Sequence, residues 1–378
     1  MISRFPLWLL LPLTVSLEAS AAMKPRVIDT VFPTDDVVIA SLVVEAPKDG
    51  VGDATGAIQA AIDEAAAAGG GVVFLPAGRY RLAGRLTLKE GVTLRGDWTP
   101  NLPQAPKPAG GYTILMPTAD KGSPDAPPAI TMERGTGLCN LAIWYPDQDP
   151  MKIIPYPWTI RTSEKATGDN ITIQNIALIN PYQAIKIGPE WNELHTIRNV
   201  FGTPLKAGIW MDTCTDIGRV TGVGFGPAVW QGSGLPGSPK EEQEFEGYRP
   251  LPEGVAVDAV AANEAAAKKV AANPAAAEAL RDFLYREGVA YEIRRSDWEY
   301  LYGIVSYGYA VGLVIRPGQQ GAANAVLYGS RLDAKTALRL EGLNEVGLSV
   351  TGTNLFGQDS GVHATASFNS TALFSGFG

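Results

Sequence analysis

Seven short segments recur along this chain: WTIRT, AIKIG, AGIWMD, AVWQG, GLVIRP, ALRLEG and GVHAT. Read as strands with Ile160, Ile185, Ile209, Val229, Leu313, Leu338 and Val362 turned inward, each sends its next residue outward. The outward row is then Arg161, Lys186, Trp210, Trp230, Val314, Arg339 and His363. Two residues further on, a second row holds Gly188, Asp212, Gly232, Arg316 and Glu341. Trp faces stack on sugar rings, and Arg forks grip carboxylates. Two adjacent Trp flanked by cations therefore predict a substrate-binding groove for a polysaccharide, uronate-containing polymers included. The competing reading is a structural ladder, with Trp230 covered by the insertion that follows it.

Glycosidic hydrolysis needs two carboxyl groups about 5 to 9 Å apart. Asp212 is the first catalytic candidate because it ends a strand beside Trp210. Asp297 follows the long insertion and can return to the same cleft, and Glu341 stands in the second row. Glu190, Glu193 and Glu299 are further acids. β-Elimination needs instead a base and cations for the substrate carboxylate, roles open to Lys186, Arg316 and Arg339. His195 falls at a coil corner and reads as a loop anchor. Tyr145, Tyr156 and Trp158 surround a proline-rich segment, 146–157, where they either stack on sugar or pack the loop. Cys139 and Cys214 read as two separate thiols, and with only two histidines no metal site is expected.

The elements that must carry these residues come from a repeat. QNIALINPYQAIKIG at 174–188 is echoed 24 positions later by RNVFGTPLKAGIWMD at 198–212. Turn-forming Asn or Gly recurs at Asn140, Asn175, Asn199, Gly222, Gly303, Gly329, Gly352 and Gly376. Fixed periods of this size signal a solenoid, in which each coil buries its apolar face against its neighbours. Wider gaps mark insertions at 146–157 and 232–295, the second Ala-rich and helical, with Pro274 breaking or restarting the helix. Residues 1–22 have the charge, apolar run and small-residue site of a secretory signal, which predicts a secreted or periplasmic protein. A leader at 23–45 follows, and one domain spans 46–378, whose last coil looks incomplete and calls for a partner chain or a further segment as its cap. No segment after the signal has transmembrane length, and a net charge of −8 argues against nucleic acid as a partner.

The segment APKDGVGDATGAIQAAIDEAAAAGGGVVFLPAGRYRLAGRLTLKEGVTLRGDW, residues 46–98, resembles the entry of the pectate lyase superfamily, the glycoside hydrolase family 28-related proteins. The resemblance implies an all-β fold: a right-handed parallel β-helix with an N-terminal capping helix, here with one helical insertion. Thr55 would cap that helix, with Ile58, Ala61, Ile62 and Ala65 on its buried face. The family includes hydrolases, lyases, epimerase-like proteins and tailspikes, so the expected function is to bind and cleave a polysaccharide by hydrolysis or β-elimination. The alternatives are a non-catalytic binding or tailspike-like protein, or a uronate epimerase. The NTDG, DD, GHG and RIK motifs of polygalacturonases are missing from the coils; the one DD, Asp35 and Asp36, precedes them. No cofactor is predicted. A lyase would bring in calcium, for which no aspartate cluster of the pectate lyase kind is found.

Overall fold

The computed structural model describes residues 23–30, 37–98, 111–165, 167–239, 273–366 and 368–376. The signal segment, Asp35 and Asp36, and much of the Ala-rich insertion lie outside these residues. The described chain winds as a right-handed parallel β-helix. Strands pair in parallel with the equivalent strand one coil later; a short antiparallel pair, Arg26–Val27 with Ile39–Ala40, stands apart.

Each coil contributes to three sheets. The first contains Trp158–Thr162, Gln183–Ile187, Ala207–Met211 and Val289–Ile293, then the later halves of Val305–Ile315, Arg331–Leu340 and Asn354–Ala364. The second contains the early part of Thr172–Leu178 and of Thr196–Gly202, followed by Gly218–Thr221, Glu299–Tyr302, Ala325–Tyr328 and Leu348–Thr351. The chain then turns into the third sheet through one residue with positive φ. That residue is Asn140, Asn175, Asn199, Gly222, Gly303, Gly329, Gly352 or Gly376, with φ between 53° and 61°. These are the eight turn positions expected from the repeat. Asn and Gly occupy them because the left-handed region strains other side chains. Asn199 Nδ2 also donates to Asn175 Oδ1 at 2.7 Å, joining two turns along the rod.

Inside, equivalent positions stack in register. Ile160, Ile185, Ile209, Tyr291, Leu313 and Leu338 follow one another through successive first-sheet strands, all buried. At the N-terminal end, helix α1 (Thr55–Ala67) buries Ile58, Ile62 and Ala65 against the first coils. Thr55 is not its cap: the N-cap is Ala54, and Thr55 Oγ1 donates to Asp53 Oδ1 at 2.6 Å.

The long insertion is shorter than its sequence suggests. AVWQG is no strand; Ala228–Gln231 form a single helical turn, α2. Helix α3 (Pro274–Glu287) starts at Pro274 behind Asn273, whose Oδ1 accepts from the Ala276 N–H at 3.1 Å. Pro274 therefore begins the helix, where its missing N–H costs nothing. The coil resumes at Val289, so the expected boundary at 295 is corrected to Gly288. At 146–157, Tyr145 and Tyr156 are buried with rings 4.6 Å apart, and Tyr145 OH shares a hydrogen bond with Thr159 Oγ1 at 2.9 Å. They pack the loop. Cys139 and Cys214 are free thiols.

Replacing Asn199 by Ala should cost about 1–2 kcal/mol, from left-handed strain plus the lost hydrogen bond. Asn199→Gly should cost less, since only the bond is lost. Urea melts of both variants decide this; equal losses would mean that backbone conformation is not the constraint.

Candidate functional site

The first sheet presents a continuous outer face because its strands share one burial rhythm. Gln183–Ile187, Ala207–Met211 and Val289–Ile293 each bury the second, third and fifth residues and leave the first and fourth partly open. The fourth residues align as Arg161, Lys186, Trp210, Glu292, Val314, Arg339 and His363. This is the expected row with one replacement, and its Val314, though in register, is fully buried. Trp230 is not in it: it sits in α2, fully buried, and belongs to the hydrophobic core. Glu292 takes its place. The segment VAYEI, inside the span expected to be insertion, repeats the rhythm of QAIKI and AGIWM and is the sequence signal for this strand.

Trp210 organises the middle of the row. Lys186 Nζ lies 4.7 Å from its ring centre, and the Arg294 guanidinium 5.0 Å. Lys186 comes from the preceding coil and Arg294 from the following one, so Trp210 holds two cations apart along the rod. Trp158 adds a second ring, 6.0 Å from Lys186 Nζ. Burial among these rings lowers the Lys186 pKa; the like charge of Arg161 adds to the effect, while Glu190 and Glu164 oppose it. Arg161 pairs with Glu190 at 3.0 Å and with Glu164.

Beyond Trp210 the face is a chain of alternating charges. Arg294 Nε meets Glu292 Oε1 at 2.7 Å, and Arg316 Nε lies 3.5 Å from the same oxygen. Arg316 is also 3.7 Å from Glu341 Oε2, and Arg339 Nε is 2.8 Å from Glu341 Oε1. Arg316, Arg339 and Glu341 therefore stand together as expected, while His363 is exposed at the far end. Helix α3 runs beside the strand starts: Glu287 pairs with Lys206 at 2.8 Å, and an open recess is lined by Asp282, Tyr285, Arg286, Ala310 and Lys335.

Two expected acids lie elsewhere. Asp212 is 2% exposed, with Oδ1 accepting from the Thr213 and Arg295 N–H groups at 2.8 and 3.2 Å. Gly318 approaches so closely that a Cβ there would come within 2.3 Å of the same oxygen. Asp212 therefore fastens a turn and does not open onto the face. Asp297 lies in the turn after the face and pairs with Arg295 at 2.6 Å. Glu299 is fully buried, 3.2 Å from His195 Nε2, and accepts from Ser296 Oγ at 2.8 Å. Cys214 Sγ lies 3.7 Å from His195 Nδ1. Among the described residues this is the one His, Cys and carboxylate group close enough for a metal. Thiol and carboxylate meet different ring nitrogens, so the arrangement is a hydrogen-bond relay pinning three coils. Burial lowers the His195 pKa, but the Glu299 carboxylate and Cys214 outweigh it and push it up to about 10. No helix among the described residues is long and apolar enough to cross a membrane.

Comparison with known proteins agrees with this architecture. Residues 44–211 match the family model described as "Rhamnogalacturonase A/epimerase, pectate lyase-like". Over these residues the chain is similar to that family, and its fold there is a parallel β-helix. A stretch of 56 residues is 57% identical to mannuronan C5-epimerase AlgE1 of Azotobacter vinelandii, covering 13% of this chain and 4% of that protein. Mannuronan C5-epimerase AlgE4 of the same organism is 56% identical over 55 residues, covering 13% of this chain and 10% of that protein. The alignments thus span only a small part of these curated relatives. Among solved structures, the A-module of the A. vinelandii mannuronan C-5 epimerase AlgE6 superposes with a TM-score of 0.51 at 17% identity, over 88% of this chain and 75% of that one. That likeness is one of fold. The pectate lyase-like segment ends within the strand that carries Trp210, so the charged half of the face lies beyond it.

Trp230→Ala should destabilise the fold by about 3–5 kcal/mol, the range for emptying a buried aromatic site. Trp210→Ala, on the half-open face, should cost clearly less; equal melting shifts would contradict the burial of Trp230 in the core. The raised His195 pKa predicts a pH dependence. Its stabilising contribution is complete below about pH 6.5, the unfolded value, and fades as pH rises toward about 10. Denaturation at stepped pH should show this loss in the wild type and a flatter curve for Glu299→Gln. Parallel curves would remove the ion pair.

Proposed function

We propose that the first-sheet face binds a uronate-containing polysaccharide along the rod and acts at the carbon next to the substrate carboxylate. The observation that carries the reading is the run of Lys186, Arg294, Arg316 and Arg339, held in one line by Trp210, Glu292 and Glu341. Arg forks suit carboxylates, and a substrate carboxylate can take the place that Glu292 or Glu341 now holds on Arg316. The mannuronan C5-epimerases that share the short, highly identical stretch support a uronate as the substrate.

In this reading a base removes the C5 proton, and the electron pair moves into the carboxylate, whose growing charge the guanidinium groups stabilise. Lys186 is the candidate base, since its lowered pKa increases the share of free amine. Collapse of the intermediate with loss of the 4-linked glycosidic oxygen is β-elimination. Return of a proton to the opposite side is epimerisation. The charged run is open to either outcome.

A hydrolytic reading has one observation in its favour. Glu292 and Glu341 both approach Arg316, at 3.5 and 3.7 Å, which puts two carboxyl groups within one substrate's reach. We place the action outside the cytoplasm because of the signal-like residues 1–22.

The test is incubation with polymannuronate, polygalacturonate and a neutral xylan. Unsaturated ends read by ultraviolet absorbance indicate elimination. Solvent deuterium at C5 without chain cleavage indicates epimerisation, and reducing ends alone indicate hydrolysis. Lys186→Met, which keeps the hydrocarbon between the two rings, should lower turnover about 10²–10⁴-fold with unchanged melting. Binding without any of the three products would sink the enzymatic reading, and no binding of uronates would sink the substrate class.

A further inference from the structure

The second sheet has an outer face that the groove does not use. Its open positions form two columns in register along the rod, one through Arg219 and Tyr300, the other through Arg198, Tyr302 and Tyr328. The columns run from the strand Val92–Gly96 to Ala372–Ser375. Every other position in them is Arg, Thr, Ser, Gln, Gly, Cys, Val or Leu. Neither column holds a carboxylate, in a chain with 39 Asp and Glu and a net charge of −8. The first-sheet face, by contrast, pairs nearly every cation with an acid.

The three tyrosines form one cluster. Tyr300 and Tyr302 have ring centres 5.7 Å apart, and Tyr302 and Tyr328 meet edge to face at 6.1 Å. Tyr328 is 55% exposed, unusual for a large ring with no cover. Arg219 and Arg198, one and two rungs before this cluster, are exposed and make no ion pair among the described residues. Rungs of a β-sheet are about 4.8 Å apart, so the aromatic and cationic parts follow each other directly along the axis.

We propose that this face is an accessory binding site for the same class of anionic polysaccharide, separate from the groove and without chemistry of its own. The inference rests on the uronate reading of the first-sheet face. Tyrosines supply sugar-stacking surface at low entropic cost, and the two free guanidinium groups take the carboxylates. The missing acids remove the repulsion that an anionic chain would meet elsewhere on this protein. A long chain engaging both faces gains avidity from the raised local concentration; a short oligomer, able to reach only one, does not.

The experiment compares wild type, the double variant Tyr302→Ser/Tyr328→Ser and the single variant Arg219→Glu, with melting and mass measured for each. Affinity electrophoresis in long polymannuronate should show binding about tenfold weaker for both variants. Their turnover on short mannuronate oligomers should equal the wild-type value. Arg219 is exposed, so its variant keeps the test valid if the tyrosine variant folds poorly. Wild-type binding by a folded Arg219→Glu protein would overturn the accessory site, leaving the groove reading intact. So would a change in oligomeric mass with unaltered polymer affinity, which would make the face a contact between copies. A wild type that binds the polymer at these residues without altering it would refute the proposed reaction and support this site. A wild type that binds no polyuronate refutes both.

Discussion

One backbone constraint underlies this molecule: once per coil the chain must turn from the second sheet into the third through a single left-handed residue. Asn140, Asn175 and Asn199, then Gly222 through Gly376, meet it at nearly the same φ. Because each turn has the same shape, the strands on either side enter in the same register. That register brings Ile185 under Ile209, and Ile209 under Tyr291. It also sets the outer face, because a one-residue slip would exchange inward and outward side chains. The alignment of Lys186, Trp210 and Glu292 is thus a consequence of corner geometry on another side of the coil.

The coil separates two kinds of information. Inward positions carry apolar side chains and can vary little, since each must fill the layer between its neighbours. Outward positions are free of that demand, and there the coils differ most. Trp210 shows how one outward residue organises others. Its ring receives Lys186 from one side of the rod and Arg294 from the other, so its role in the site is first to orient cations. Sugar stacking, the simpler expectation for an exposed Trp, would have to compete with both. Glu292 and Glu341 do for Arg316 what Trp210 does for Lys186: they hold a long, flexible side chain in a defined place.

Much of this was legible in the sequence, and the failures have physical causes. The turn positions between the second and third sheets are readable because all eight are Asn or Gly, the types that take the left-handed region with least strain. The inward row is readable because burial demands apolar side chains at a fixed period. Trp230 was misplaced because AVWQG satisfies the same apolar pattern, yet the chain had already left the coil at Pro227 to form α2. Period alone cannot say which of two similar segments, with Trp230 and Glu292 at equivalent positions 62 residues apart, continues a solenoid interrupted by an insertion. Asp212 was misjudged for another reason. Its strand-end position is correct, but the N–H groups of Thr213 and Arg295 draw the carboxylate inward. Such local hydrogen bonding leaves no trace in spacing. Nor do the pairings of Arg161 with Glu190, or of Arg316 with two acids, which depend on side chains from different coils.

Charge gives the last distinction between the faces. A chain with net charge −8 should repel a polyanion at long range, unless its cations are gathered where the ligand lies. The first sheet gathers them but pairs each arginine with a glutamate, an arrangement suited to exchange, where a substrate carboxylate replaces a protein one. The second sheet leaves Arg198 and Arg219 without such partners beside three tyrosines. Exchange costs little net charge separation and suits a face where substrate must leave after reaction. Unpaired cations suit a face that holds a chain in place. The two sheets differ in the way expected if one side of the rod turns substrate over and another keeps it near.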